Sequence, residues 1–166
     1  MKFAPLTLEE RAATAFTHRF DFDATDIPAG IATNTAYTFN TAPLPAFKAG
    51  DIVKRIQMYL SINFQNTADS ALNTTTVSVG DAGSATRFVN AVQINNYGTP
   101  TATTFPGATE NYIYTAAGQL QVTLNSMAAK TISSLNQGKF YVLFAIDRSA
   151  DPAKTKAPPF AGGGYL

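Results

Sequence analysis

The sequence predicts an all-β fold, an antiparallel β-sandwich of jelly-roll-like form, and three observations carry that expectation. The stretch from Asp51 to Asn66, DIVKRIQMYLSINFQN, sets apolar Ile56, Met58, Leu60, Ile62 and Phe64 at alternate positions, with Arg55, Gln57, Tyr59, Ser61 and Asn63 between them. Successive side chains of a strand point to opposite faces, so this is one long strand with a dry and a wet face. A helix would wind the same five apolar side chains around most of its circumference. Roughly seven or eight such runs recur, separated by Gly, Pro, Asn and Asp turns, which is the spacing of a sandwich. The polar residues are mostly Thr, Asn, Ser and Gln, and charged residues make up only 14% of the 166, against a usual value of about 25%. Threonine, β-branched and polar, suits an exposed strand face.

Burying the five apolar side chains of 51–66 is worth ~1.5–3 kcal/mol each before entropy is counted. No other segment offers as much, so this stretch is expected at the centre of a sheet. Ahead of it, residues 1–15 read as an extended N-terminal arm, in which Thr7-Leu8-Glu9-Glu10 has the spacing of a capping box and starts a short helical turn. Phe16 to Asp23 is the first strand, with Phe16, His18, Phe20 and Phe22 on one face and Thr17, Arg19, Asp21 and Asp23 on the other. Asp26-Ile27-Pro28-Ala29-Gly30 is turn chemistry, and Thr35 to Thr41 a strand in which Tyr37 and Phe39 alternate with Thr38 and Asn40. The prolines at 43 and 45 place 43–51 in a loop leading to the central strand.

Beyond the central strand, 66–73 is a polar loop and Thr74 to Val79 a short strand. Gly80-Asp81-Ala82-Gly83-Ser84 is the sharpest turn signal in the chain. Two glycines and an aspartate can hold an anion on backbone N–H groups or a cation on carbonyls. Neither P-loop nor EF-hand spacing is present, and the turn reading is the plainer one. Arg87 to Ile94 fits either a short helix or a strand. Residues 95–110 form a long Gly/Pro/Thr loop, a type of segment that often carries contacts, and Tyr97 and Phe105 are its candidate contact residues. Asn111 to Thr115, Gln119 to Asn125 and Lys139 to Asp147 are the closing strands. In the last, Phe140, Val142, Phe144 and Ile146 share one face and Tyr141, Leu143 and Ala145 the other. A strand apolar on both faces is central or lies under a neighbour. Met127 to Leu135 is a small hydrophobic connection. From Ser149, SADPAKTKAPPFAGGGYL has no periodicity and reads as a flexible tail. The expected organisation is thus an arm over 1–15, a sandwich over 16–148 and a Pro/Gly-rich tail over 149–166.

Several function classes are disfavoured. Net charge is +1 with no long basic run, which argues against nucleic-acid binding. With no cysteine there are neither disulfides nor thiolate metal sites. No apolar run approaches the ~18 residues of a membrane span. Glu9, Glu10 and Arg11 stand where a signal peptide needs its apolar stretch, so synthesis and folding in a cytoplasm are expected. His18, the only histidine, is either a base or pH switch, or a half-buried imidazole with one partner at the sheet's edge. Asp21 and Asp23 share a strand face and have the chemistry of a hydrolytic couple or, more ordinarily, of a solvated edge. No nucleophile motif is present, so no catalytic residue, cofactor or metal is assigned. A surface with little charge and a net charge near zero suits a free monomer poorly. It is easier to understand where partners cover it.

From about Thr17 to Asp147 the chain resembles the small β-sandwich structural proteins of tailed bacteriophages, of the head decoration, cement or minor capsid type. The resemblance lies in the alternating first strand followed by Pro28-Ala29-Gly30, in the long central strand, in Thr75 to Phe88 (TTVSVGDAGSATRF), and in Ser126-Met127-Ala128-Ala129-Lys130 followed late by Asp147-Arg148. These are patterns of texture and order, not of catalytic residues. The resemblance implies a non-enzymatic virion protein, made in a bacterial host and placed on the particle against the major capsid protein or other virion proteins, with a trimer as the expected assembly. On that reading Leu6 and Leu8 of the arm and Phe160, Tyr165 and Leu166 of the tail are the candidate contact residues. The competing expectation is a glycan- or receptor-binding module of a phage tail or fibre, with Tyr97, Tyr112 and Tyr114 as an aromatic platform in place of the missing tryptophan.

Overall fold

The computed structural model describes residues 2–39, 44–69, 72, 74–95, 103–106, 111–127 and 129–148; for 2, 3 and 103–106 it describes the backbone alone. Among the described residues, eleven strands and one α-helix follow one another: β1 (Lys2–Pro5), α1 (Leu8–Thr14), β2 (His18–Asp23), β3 (Tyr37–Phe39), β4 (Ala46–Phe47), β5 (Ile52–Gln65), β6 (Thr76–Asp81), β7 (Ser84–Gln93), β8 (Thr103–Pro106), β9 (Tyr112–Ile113), β10 (Gly118–Leu124) and β11 (Gln137–Asp147). They form two antiparallel sheets. One runs β1-β2-β11-β5-β8, with β9 also on the outer side of β5; the other runs β3-β10-β6-β7, with β4 sharing the β3 side of β10. Among the described residues no helix is long and apolar enough to cross a membrane.

The pairings are nested. The hairpin β6–β7 lies innermost in the sequence; β5 pairs β8 and β9 outside it, β3 and β4 pair β10 outside those, and β2 pairs β11 outermost. Two further pairings, β11 with β5 and β10 with β6, close this long ribbon into two layers.

The core fills the space between the layers. Phe22 of one sheet meets Phe39 of the other edge-on at 4.7 Å and stacks on Phe140 at 5.0 Å beside it. Phe88 and Tyr112 meet across the layers farther along, at 6.1 Å. The alternation of β10 is borne out, with Leu120, Val122 and Leu124 buried, as are the anchors Met127, Ile132 and Leu135 of the connection to β11. Strand β11 lies in the middle of its sheet, as its two apolar faces require.

Several expectations need correction. Strand β5 runs over 52–65, but Ile62 is 42% exposed. From Leu60 to Gln65, β5 advances five residues while β11 advances three, from Phe140 to Gln137, so β5 bulges out of its alternation there. Gly138 sits opposite that bulge at φ +149°, and a Cβ on it would lie 2.3 Å from the Phe64 ring, so only glycine fits. Phe16 is not on the face of Phe20 and Phe22. Ala15 is left-handed at φ 59°, and Thr17 replaces regular ladder bonds, its N–H donating to Phe144 O and its Oγ1 accepting from Ile146 N–H. The chain therefore enters β2 irregularly, and Phe16 packs with Leu143 and Ala145 on the opposite face of the sheet. Residues 87–93 are strand, with consecutive Phe88 and Val89 both buried because β7 carries extra residues relative to β6. The loop expected over 95–110 contains β8, and the one expected over 43–51 contains β4, whose Phe47 is buried.

Candidate interaction surface

The outer face of the six-stranded sheet carries a second apolar cluster, separate from the core. Phe16, Leu143 and Ala145 are buried in it, and Leu6, Tyr59 and Tyr141 pack against them. The register explains the grouping: Tyr141 lies opposite Tyr59 on one side and Asp21 on the other, and Leu143 lies between Gln57 and Arg19. Tyr59 and Tyr141 stack at 4.9 Å, nearly parallel. The Arg19 guanidinium sits 4.0 Å above the Tyr141 ring while its Nη2 donates to Asp21 Oδ1 and its Nε to both carboxylate oxygens. Arg55 lies 5.0 Å from the Phe16 ring. Cations over aromatic faces of this kind combine an apolar body with a wet rim.

The N-terminal segment covers part of this face. Strand β1 pairs β2 from Lys2↔Asp21 to Pro5↔His18, and Leu6 N–H donates to Thr17 O, which brings Leu6 down on the cluster. Helix α1 follows with both halves of its capping box formed, Glu10 N–H donating to Thr7 Oγ1 and Thr7 N–H to Glu10 Oε2. Yet α1 buries no side chain, and Leu8 is 83% exposed. Seven residues are too few for a helix to be stable by its own hydrogen bonds in water. Its caps and its two ends hold it.

The titratable groups raised as catalytic candidates are engaged elsewhere. Asp21 receives Arg19, and Asp23 caps the short 3-10 turn 24–26 through Thr25 N–H, which holds its carboxyl below the ordinary range. His18 lies at the start of β2, between β1 and β11 and so not on a sheet edge; its Nδ1 is 2.8 Å from Thr17 Oγ1. Burial first, then Arg148 and Arg11, push its pKa down to about 4, so it is neutral near pH 7. In the Gly80–Ser84 turn, Asp81 Oδ1 accepts from the N–H groups of Gly83 and Ser84, and its carboxylate takes Arg87 and the Tyr114 hydroxyl. Burial opposes ionisation of Asp81, but bonds from Arg87, Ser84 N–H and Tyr114 outweigh it and hold the carboxyl low. Burial, with Asp81 beside it, pushes the Tyr114 hydroxyl up. A Cβ on Gly80 would lie 2.0 Å from Ser84 O. This turn is a structural pin between β6, β7 and the segment after β9, and its carboxylate is already fully used. Among the described residues no group of three or more His, Asp or Glu could hold a metal ion. Every buried side-chain nitrogen or oxygen among them has a partner.

No family model matches the chain. No curated protein matches it either. Among solved structures, a chain of the Cyanophage Pam1 capsid asymmetric unit aligns with a TM-score of 0.47 and 22% identity, covering 76% of this chain and 77% of that one.

Of the predicted contact residues, the structure places Leu6 against the outer cluster and leaves Leu8 exposed, so the two are not brought together. Phe105 lies in β8 opposite Met58; Tyr97, Phe160, Tyr165 and Leu166 lie outside the described residues. The expected platform does not form from Tyr112 and Tyr114. Tyr114 is buried and stacked on Phe47 at 4.3 Å, and Tyr112 is covered by Arg87 at 4.0 Å. The stacked pair on the outer face, Tyr59 and Tyr141, was not singled out as a site. The signal for it was present: a tyrosine on the wet face of β5 and an apolar second face on β11. Their pairing depends on a register that a single sequence does not reveal.

Proposed function

We propose that the chain is a non-enzymatic virion structural protein, a capsid decoration or cement protein of jelly-roll form that binds the major capsid protein. The observation that carries this reading is the nested pairing: a ribbon whose outermost pair is β2–β11 and innermost β6–β7, folded so that β11 meets β5 and β10 meets β6. That is how two Greek keys build a jelly roll, a form widely used in viral capsids and lectins. Further support comes from the sequence resemblance over 17–147, from carboxylates committed to structural bonds, and from a low-charge surface. The arm and tail, with Leu6, Leu8, Phe160, Tyr165 and Leu166, serve as anchors, and several weak contacts on one particle add through effective concentration. The module works as a trimer, in the virion.

The test is binding of purified protein to capsids that lack it, comparing the full chain with chains ending at Arg148 or starting at Ala15. Tight binding that weakens on loss of either terminus, with capsids that then survive heating better, is the expected result. Failure of the full chain to bind ends the decoration reading. A second reading, a glycan- or receptor-binding module of a tail or fibre, is favoured by the half-buried Tyr59 ring on the outer face, held flat by its stack on Tyr141, which Arg19 covers, and with Gln57 beside it. Saturable binding of host-cell glycans that is lost in Tyr141→Ala, with no capsid binding, selects it.

A further inference from the structure

A cleft of about 440 Å³ opens at the end of the six-stranded sheet where β2 begins and β11 finishes. Three cations line it, each from a different element: Arg11 from α1, Lys54 from β5 and Arg148 just past β11. Asp147 is the carboxylate of the lining, His18 sits within it, and Ala145 and Ile146 give it an apolar wall. Lys54 pairs with Asp147 at 3.1 Å, and Arg148 with Asp51 at 2.8 Å. The Arg11 Nε donates to Leu6 O, which holds the side chain in place without neutralising it. The cleft therefore keeps one positive charge in excess. The imidazole registers that field, since Arg148 and Arg11 both add to the burial that keeps His18 neutral.

A pocket of this volume takes a small ligand or a side chain with its adjoining backbone. A bare inorganic anion would leave most of it empty and would not use the apolar wall. An aspartate or glutamate side chain, with an anionic head on a short apolar stem, matches both. Guanidinium and carboxylate also fit one another as a fork. We propose that this cleft receives an acidic side chain from a peptide segment of a partner protein, with its carboxylate on Arg11 and flanked by Lys54 and Arg148. The proposal rests on the reading of the chain as one that docks other proteins, and it names the chemistry of one contact.

Because His18 is the only histidine, its imidazole gives a single set of NMR signals inside the cleft. The full-length protein is titrated with acetyl-Gly-Glu-Asp-Glu-Gly-amide, with the same peptide carrying Gln and Asn, and with inorganic phosphate. The expected result is saturable movement of the His18 signals with the acidic peptide alone. The His18 pKa should rise in the complex, because a carboxylate nearby favours imidazolium. Arg11→Gln should weaken the peptide by about tenfold, and Lys139→Gln, which removes a charge outside the cleft, should leave it unchanged. No saturable movement at millimolar peptide overturns the proposal. So does equal binding of the neutral peptide, or phosphate binding as tightly as the acidic peptide, which would make the cleft a simple oxyanion site. On capsids, R11Q binding as tightly as wild type removes the cleft from the contact while the decoration reading stands. Wild type failing to bind removes that reading, and the peptide titration still decides the cleft.

Discussion

The two faces of β11 are both apolar, but they are covered in different ways. Phe140, Val142, Phe144 and Ile146 lie under a whole second sheet, and the first three are fully buried. Leu143 and Ala145 lie with Leu6 and Phe16, the two ends of a strip whose helix buries nothing, while Tyr141 is only partly buried, against Tyr59 and under Arg19. Interlayer packing ties the strands of the two sheets together through one large cluster. The strip contacts β2 and β11 and, through Arg55 on the Phe16 ring, β5. The inner face therefore holds the fold, while the outer face is a thinly covered surface that a partner can extend over.

Truncations on the two faces should separate these roles. Phe22→Ala removes a ring in contact with Phe20, Phe39, Phe64 and Phe140, and should cost about 3–5 kcal/mol in urea unfolding. A loss near 1 kcal/mol would mean that the layers are not packed as described. The pin at the far end of the sandwich belongs with the inner layer. Asp81→Ala leaves Arg87 and Tyr114 without their carboxylate and should cost about 2–3 kcal/mol. Because the Asp81 pKa is lowered in the fold, its contribution is complete above about pH 4 and is lost as pH falls below that. Acid unfolding of the variant should consequently be shallower there. On the outer face, Leu143→Ala should cost about 2 kcal/mol, the bottom of the range for leucine, since a short strip can settle into the gap. A cost equal to that of Phe22→Ala would erase the distinction between the faces.

How much of this was legible in the sequence follows from what fixes each feature. The strands β5, β10 and β11 are set by alternation, a local property, and they were readable. The bulge at Ile62 and the reversal at Phe16 depend on Gly138 meeting Phe64 and on Thr17 bonding β11, contacts between residues far apart in the chain. The Gly80–Ser84 turn was readable as a turn. That its aspartate also receives Tyr114 was not, because 33 residues separate them. The cationic cleft joins α1, β5 and β11 in space, and no spacing along the chain announces it.

Two smaller effects sharpen the comparison at the boundary between the faces. The pKa of His18 is lowered in the fold to about 4, below the unfolded value of about 6.5. Its neutral form therefore supports the fold above about pH 6.5, and that support declines as pH falls from there towards 4. In His18→Gln the difference between urea midpoints at pH 7 and pH 5 should shrink; an unchanged difference would assign the pH dependence to other groups. Smallest of all, Thr7→Ala removes the cap of α1, a change worth about 1 kcal/mol to the helix itself. Since α1 buries no side chain, hydrogen exchange in residues 8–14 should speed up while global stability moves by less than about 0.5 kcal/mol. A larger global loss would show that the strip is more firmly coupled to the sandwich than its burial indicates.

The margins of the two sheets have a consequence for crowding. Strand β1 is four residues long and ends in Pro5, β8 and β9 divide one flank between them, β3 and β4 divide another, and the long β7 is repeatedly out of step with β6, with Ala91 at φ 45°. Among the described residues, these margins give a neighbouring chain no long straight row of amides and carbonyls on which to lay its own backbone. Copies held shoulder to shoulder at very high local concentration would thus meet through side chains on their faces. Short, broken and bulged margins of this kind disfavour open-ended strand addition between copies.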